Sequence, residues 1–338
     1  MKVLVIAQEI DEEGSILGFF VEWVRKLSQH FEELDVAYFK GNGARMPKNV
    51  NLHRIEGNRA SKVLKLNELI LGKKPDRVFV HMCPEFVVAI GAICRAKGIP
   101  IIFWRASGWK SKTLDAALLF SSKILTSTPQ GFPKETEKKK VLCQGIDNKK
   151  YKPLKEAYLL DVARLSGVKH HDVIIKSVAK LKKEYPELEL WVAGGKTESE
   201  PKLKAELVEL AEETGIGNSV KFLGSVPHSK MPNLYSNCII FISASTTGSL
   251  DKTGLEAMAS EKPVLVCNKA FSEVLEGYEE RLFFRPGDVG DLAEKMDFLL
   301  KGKQARKRIG KELRKRVDEN HSLDSLISKI ATEIKTTR

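Results

Sequence analysis

Short apolar runs alternate with helical repeats along most of the chain. Lys2–Ala7 is apolar at nearly every position, as expected of a strand covered on both faces, and Phe20, Val24, Leu27 and Phe31 then recur at helical spacing. Further strand-like runs fall at Val36–Phe39, Leu52–Ile55, Arg77–Met82, Pro100–Trp104, Lys123–Thr126 and Val141–Cys143. Helical patterns lie between the later runs, such as Glu85–Lys97, which stops at the good C-cap residue Gly98. After Gly145-Ile146-Asp147 comes a Lys-rich segment containing Pro153, which reads as a hinge. Alternation then restarts, with strands predicted at Tyr158–Ala163, Glu189–Gly194, Val220–Leu223, Ile239–Ser243 and Pro263–Cys267. Asp172–Glu184 and the Leu203, Leu207, Leu210 series read as helices between them. Two helical patterns close the chain: Ala305–Glu319, then the series Leu323, Ile327, Ile330 and Ile334. Strand–helix alternation of this kind predicts parallel sheets covered by helices, here two doubly wound α/β domains in tandem, 1–150 and 151–321. Such sheets bind ligands at the carboxyl ends of their strands, and two of them face to face make a cleft.

The length of 338 residues agrees with two domains, and 42% hydrophobic with 30% charged residues describes ordinary folded cores. The longest apolar stretch, Phe86–Cys94, is far short of the ~20 residues a bilayer span needs. Carboxylates arrive early in MKVLVIAQEIDEE, which argues against a signal peptide. The five cysteines, at 83, 94, 143, 238 and 267, never form a C-x-x-C pair. This pattern excludes a disulfide framework and a zinc ribbon and fits a reduced cytoplasm. The net charge of +12 is lopsided, with +9 in residues 1–150. Such a field attracts anions (nucleic acid, anionic lipid headgroups or phosphorylated small molecules), and a basic surface kept for solubility reads the same way.

The loop Asp11–Gly18 joins the first strand to the first helix, where Gly14 and Gly18 would let backbone N–H groups approach a phosphate. It is not G-x-G-x-x-G, so a plain dinucleotide site is poorly supported, and no P-loop motif occurs. In the second half, a strand runs into Ala163-Arg164-Leu165-Ser166-Gly167-Val168-Lys169. Two cations at a strand's end beside a helix start can clamp a diphosphate; a surface Arg and Lys is the plainer reading. From Phe241 to Val266 a strand ends in small polar residues, and a short helix starting near Thr253 carries Glu256. A Glu in the first turn of a helix can accept both hydroxyls of a ribose, or serve only as a favourable charge there.

These motifs resemble the retaining GT-B glycosyltransferases of family 4. Arg164 and Lys169 stand at the separation of that family's G-R-L-x-x-x-K-G, and Phe222-Leu-Gly224-Ser-Val226 matches its F-x-G-x-V loop. Leu255-Glu256-Ala-Met-Ala-Ser-Glu-Lys-Pro263-Val264 matches the end of E-G-F-G-L-x-x-x-E-A-M-A-x-G-x-P-V. The likeness extends to the first half through Gly14–Trp23, Phe79–Met82, Ile124–Ser127 and Gln144–Asp147. There are departures. The family's first Glu, which faces the donor sugar, is Gly248 here, with Asp251 and Lys252 as candidate substitutes. A His often found after the fifth strand is replaced by Ser107, and His81 is the nearest other polar candidate.

The resemblance implies two Rossmann-like domains facing across a cleft, an acceptor-side domain at 1–150 and a nucleotide-sugar domain at 151–321, with helix 322–338 packing back on the first. It implies transfer of a sugar from a nucleotide-diphosphate donor to a glycan, lipid or small-molecule acceptor, with retention and with no cofactor beyond that donor. Gly224 and Val226 would border the base, Glu256 would hold the ribose, and Arg164, Lys169 and N–H groups near Gly14 and Lys252-Thr253-Gly254 would hold the diphosphate. No D-x-D-like metal pair is evident, so cations would stand in for a metal. The expected location is cytoplasmic, with peripheral contact at the inner face of an anionic membrane and a plain soluble glycan acceptor as the two alternatives for the acceptor side. Nucleic acid is disfavoured, since no helix-turn-helix or RRM signature occurs and aromatics are only 7%. The rivals are a GT-B-fold sugar-nucleotide 2-epimerase and a non-catalytic basic binding module.

Overall fold

The computed structural model describes residues 1–14, 17–154 and 156–337. The chain divides into two compact units, one formed by Met1–Gly145 with Leu323–Arg338 and the other by Ile146–Ser322.

In the first unit β1 (Lys2–Asp11), α1 (Phe19–Ser28), β2 (Glu33–Gly43), β3 (Val50–Arg54), α2 (Arg59–Lys73) and β4 (Arg77–His81) follow one another. α3 (Pro84–Ala96), β5 (Ile101–Trp104), α4 (Lys112–Phe120), β6 (Lys123–Thr126) and β7 (Lys139–Val141) complete its first pass. The described strands form a seven-stranded parallel sheet in the order β3-β2-β1-β4-β5-β6-β7. Val5 of β1, an interior strand, lies in register with Val36 on one side and Phe79 on the other. The near-continuous apolar run of β1 has a direct cause. Val3, Val5 and Ala7 face a layer built by Phe20, Trp23, Val24 and Leu27 of α1, while Leu4 and Ile6 face Leu66, Ile70, Val87, Ile90 and Leu114 on α2, α3 and α4.

In the second unit come β8 (Tyr158–Val162), α5 (His171–Leu181), β9 (Leu190–Ala193), α6 (Leu203–Glu213), β10 (Val220–Gly224) and α7 (Met231–Asn237). β11 (Cys238–Ser243), α8 (Lys252–Ala259), β12 (Val264–Val266), α9 (Glu279–Leu282), α10 (Val289–Lys301) and α11 (Lys303–Asn320) follow. The described strands make a five-stranded parallel sheet, β10-β9-β8-β11-β12, with β8 and β11 adjacent at its middle. Most elements lie where the apolar pattern puts them. α4, α7, α9 and α10 are additions that the pattern did not single out; α10 is started by Asp288, whose carboxylate accepts from Gly290 N and Asp291 N at 2.9 Å each.

The closing helix α12 (Leu323–Thr336) belongs to the first unit, where Leu326, Ile327, Ile330 and Ile334 join the layer over β1. Its Glu333, buried, sits 3.3 Å from Lys123 Nζ and 2.5 Å from Lys140 Nζ. The segment read as a hinge is tied down in part. Ile146 N donates to His321 O at 2.9 Å, Asn148 Nδ2 donates to Asp318 at 2.6 Å, and Arg314 Nη1 donates to Tyr151 O at 2.8 Å. These bonds attach 146–151 to α11, so the second unit starts at Ile146. Among the described residues no disulfide joins any of the five cysteines. Among the described residues no helix is long and apolar enough to cross a membrane.

Candidate functional site

The carboxyl ends of β8 and β11, side by side in the second sheet, collect the polar groups that the motifs single out. At the end of β8 the chain enters the strap 163–170. Close packing is enforced beside it, because a Cβ on Gly194 would lie 1.7 Å from Ala163 O; only glycine fits. Behind the strap His171 opens α5, and His171 and Asp161 are both 2% exposed. His171 Nδ1 is 2.6 Å from Asp161 Oδ2, and Nε2 is 3.1 Å from Arg164 O. Burial alone would lower the His171 pKa, but the Asp161 charge and bond and the Arg164 carbonyl outweigh it, and the pKa is raised. An imidazole held between a carboxylate and a carbonyl donates from both nitrogens, so this strap rests on a buried cation.

Lys169, on the strap, reaches across to the loop after β11. Its Nζ donates to Ser245 Oγ at 3.0 Å and lies 3.4 Å from Asp251 Oδ2. Ser245, Thr247 and Ser249 continue as a row of hydroxyls with Oγ separations of 3.1 and 3.4 Å. The loop is anchored behind by Asn268 Nδ2, which donates to Ser249 O at 2.7 Å. Gly248 sits within it at φ +72, with nothing within 4 Å of where a Cβ would be. Arg164 has an exposed side chain at the end of β8. The site therefore pairs one amine already held by a hydroxyl and a carboxylate with one exposed guanidinium.

Glu256 is placed differently from its expected position. α8 starts at Lys252, so Glu256 lies beyond the first turn, and it is only 5% exposed. A helix-end charge is thereby set aside as its reason. Its Oε1 is 3.5 Å from His228 Nε2, and its charge bears on the Tyr151 and Tyr235 hydroxyls. Burial first, and Glu256 second, push the Tyr151 and Tyr235 hydroxyls well up. Burial drives the Lys252 amine well below its usual value, with Glu256 working in the opposite direction. His228 follows directly on the Gly224–Val226 loop, where Gly224 has φ +70 and Val226 is half-buried. That loop and Glu256, 32 positions apart, thus meet through His228. Thr253 is half-buried, and Gly254 is packed so that a Cβ would lie 2.6 Å from the Phe271 ring.

The described start of the glycine loop, Asp11–Gly14, is a turn closed by its own backbone and side-chain groups. Gly14 N donates to Asp11 O at 3.2 Å, Asp11 Oδ1 accepts from Glu13 N at 3.0 Å, and Glu12 pairs with Arg25. Gly18 caps α1 at φ −54, a value open to any residue. Ser15 and Ile16 of that loop lie outside the described residues. His81 is 3% exposed and stacks on Phe20 at 4.1 Å, as a packed polar residue does, while Ser107 N donates to Gly131 O at 2.7 Å.

Sequence reasoning passed over Asp161, His171, His228, Tyr151, Tyr235 and Ser245. Asp161 did carry a signal, a lone carboxylate inside an otherwise apolar strand. Beside the strap, on the α6 side, a cavity of about 490 Å³ is lined in part by Asp172, Glu206, Glu209 and Glu213. That carboxylate lining repels anions, so the phosphate-binding candidate is the Lys169 side.

Residues 144–316 match the family Glycosyl transferases group 1. Spore coat protein SA of Bacillus subtilis (strain 168) is 25% identical over 289 residues, covering 78% of this chain and 72% of that protein. The lipopolysaccharide core biosynthesis mannosyltransferase LpsB of Rhizobium meliloti (strain 1021) is 29% identical over 155 residues, 41% of this chain and 44% of its own length. A D-inositol 3-phosphate glycosyltransferase of Nocardia farcinica is 28% identical over 152 residues, 44% of this chain and 34% of its own. The matches thus span less than half the length of the latter two relatives. Among solved structures, Anabaena Alr3699/HepE in complex with UDP and glucose superposes with a TM-score of 0.82 at 17% identity, covering 99% of this chain and 100% of that one. Sucrose-phosphate synthase from Thermosynechococcus elongatus gives 0.83 at 14% identity, covering 99% and 98%. At these identities the likeness establishes the fold, two Rossmann-like α/β units of the GT-B type.

Proposed function

The chain belongs to the glycosyl transferases group 1, and we propose that it moves a sugar from a nucleotide-diphosphate donor to an acceptor hydroxyl with retention of configuration. The observation that carries this reading is the Lys169 amine, held at the carboxyl edge of the second sheet beside the start of α8, with exposed Arg164 on the same strap. Negative charge that develops on a leaving diphosphate is neutralised there by fixed cations whose positions are set before the reaction starts. Arg164 supplies a bidentate fork and Lys169 a point charge. Glu256, in its nest of Tyr151, Tyr235 and His228, accepts the ribose hydroxyls, and the Gly224–Val226 loop borders the base. HepE binds UDP and a sugar in its solved complexes, which supports a nucleotide-sugar donor here.

For the acceptor, the proposal is a phosphate-bearing molecule or a lipid at an anionic membrane. It rests on the charge of residues 1–150 and on exposed Leu64 and Leu71, which lie two turns apart on lysine-bearing α2. Flotation with anionic liposomes but not with neutral ones, at low salt, is the expected result.

The main reading is tested by incubating the protein with a panel of nucleotide sugars and scoring free nucleoside diphosphate with and without acceptors. Acceptor-dependent release is expected. Consumption of the donor without an acceptor would instead indicate a 2-epimerase, and binding without turnover a binding module.

A further inference from the structure

We propose that Asp251 is a built-in stand-in for the donor's diphosphate, a carboxylate that occupies the anion seat at Lys169 until the nucleotide displaces it. The proposal rests on the reading of Lys169 as a phosphate-binding cation. Asp251 is the residue before α8, in extended conformation (φ −69, ψ 128), where an aspartate ordinarily accepts bonds from the first-turn amides. Elsewhere in this chain such residues do so: Asp288 caps α10, and Asn58 accepts from Ser61 N at 3.0 Å to cap α2. Asp251 makes no such bond. Its carboxylate is turned to Lys169 Nζ at 3.4 Å instead, and the two side chains are only 19% and 14% exposed.

The Lys169 amine thus has Ser245 Oγ on one side and a carboxylate on the other, next to the start of α8. A phosphate approaching this amine meets a like charge already in place, and the two anions cannot share it without repulsion. Donor binding therefore exchanges one ion pair for another, Lys169–Asp251 for Lys169–phosphate. The exchange keeps a partly buried amine paired in the free protein and disfavours anions too weakly charged to displace the carboxylate. Asp251 consequently lowers affinity for the diphosphate while leaving the nucleoside part of the site alone.

The test is calorimetric titration of wild type, Asp251→Asn, Asp251→Ala and Lys169→Ala with UDP, GDP and ADP and with the matching nucleosides. Both Asp251 variants should bind the preferred nucleoside diphosphate roughly tenfold tighter than wild type, the size of one modest charge–charge interaction, with nucleoside affinity unchanged. A gain of affinity is not what removal of a merely structural contact produces. Equal or weaker binding by both Asp251 variants, with Lys169→Ala losing the diphosphate selectively, would overturn this proposal and leave the donor site standing. Wild-type-like diphosphate binding by Lys169→Ala, or no nucleoside diphosphate bound by any form, would overturn the donor site and the stand-in together.

Discussion

Asp161 and His171 form a buried ion pair, 2.6 Å between Oδ2 and Nδ1, directly beneath the strap that carries Arg164 and Lys169. The other imidazole nitrogen binds Arg164 O, so the pair fixes the strap's path as it leaves β8. Removing one partner of a buried pair strands the other charge, which typically costs about 3–5 kcal/mol.

The first prediction concerns pH. His171 has its pKa raised above 6.5 in the folded state, so its stabilising charge is fully present below that pH and is lost as pH rises through the raised value. Asp161→Asn and His171→Gln should each destabilise by about 3 kcal/mol near pH 6, and the deficit of His171→Gln should shrink at alkaline pH. Urea unfolding at pH 6 and pH 9 measures it; a deficit independent of pH contradicts the charged pair.

A second prediction addresses the clamp. Arg164→Ala should weaken nucleoside diphosphate binding by about 1.5–3 kcal/mol, the usual worth of a hydrogen bond to a charged group, and change nucleoside binding little. Calorimetry with both ligands separates the outcomes, and equal losses for the two would remove the phosphate role.

Glu256 carries a third. Glu256→Gln should weaken a ribonucleotide by about 1–3 kcal/mol and barely change its 2′,3′-dideoxy analogue, which offers no hydroxyls to a carboxylate. Comparison of the two ligands on both proteins is the check.

The fourth concerns α12. Burial alone would raise the Glu333 pKa, but its bonds to Lys140 and Lys123 outweigh that, and the pKa is lowered below 4.5. Its contribution is therefore present above that pH and lost as pH falls through the depressed value. Glu333→Gln should cost about 1 kcal/mol at pH 7, since both lysines are partly exposed, and nearly nothing at pH 3. Chemical denaturation at the two pH values decides it.

What the sequence determined by itself was the succession of strands and helices and the chemistry on offer. A strand covered on both faces must be apolar at nearly every position, so β1, β4 and β11 declared themselves, and α12 did so through its spacing of Leu and Ile. Arg164, Lys169 and Glu256 stood out as candidates because a short motif is a local property, although Glu256 lies beyond the first turn of α8, where the sequence put it at the helix start. Tertiary structure alone decided partnership. Asp251 is 82 positions from Lys169, and His228 is 28 from Glu256, so no local pattern could announce either contact. The same holds for the segment read as a hinge, which Arg314 and Asp318 of α11 hold from more than 160 positions away. Hydrophobic periodicity records which face of an element is buried. Which charge ends beside which depends on how the β8 and β11 ends are brought together, and that is set by strand order, which periodicity does not encode.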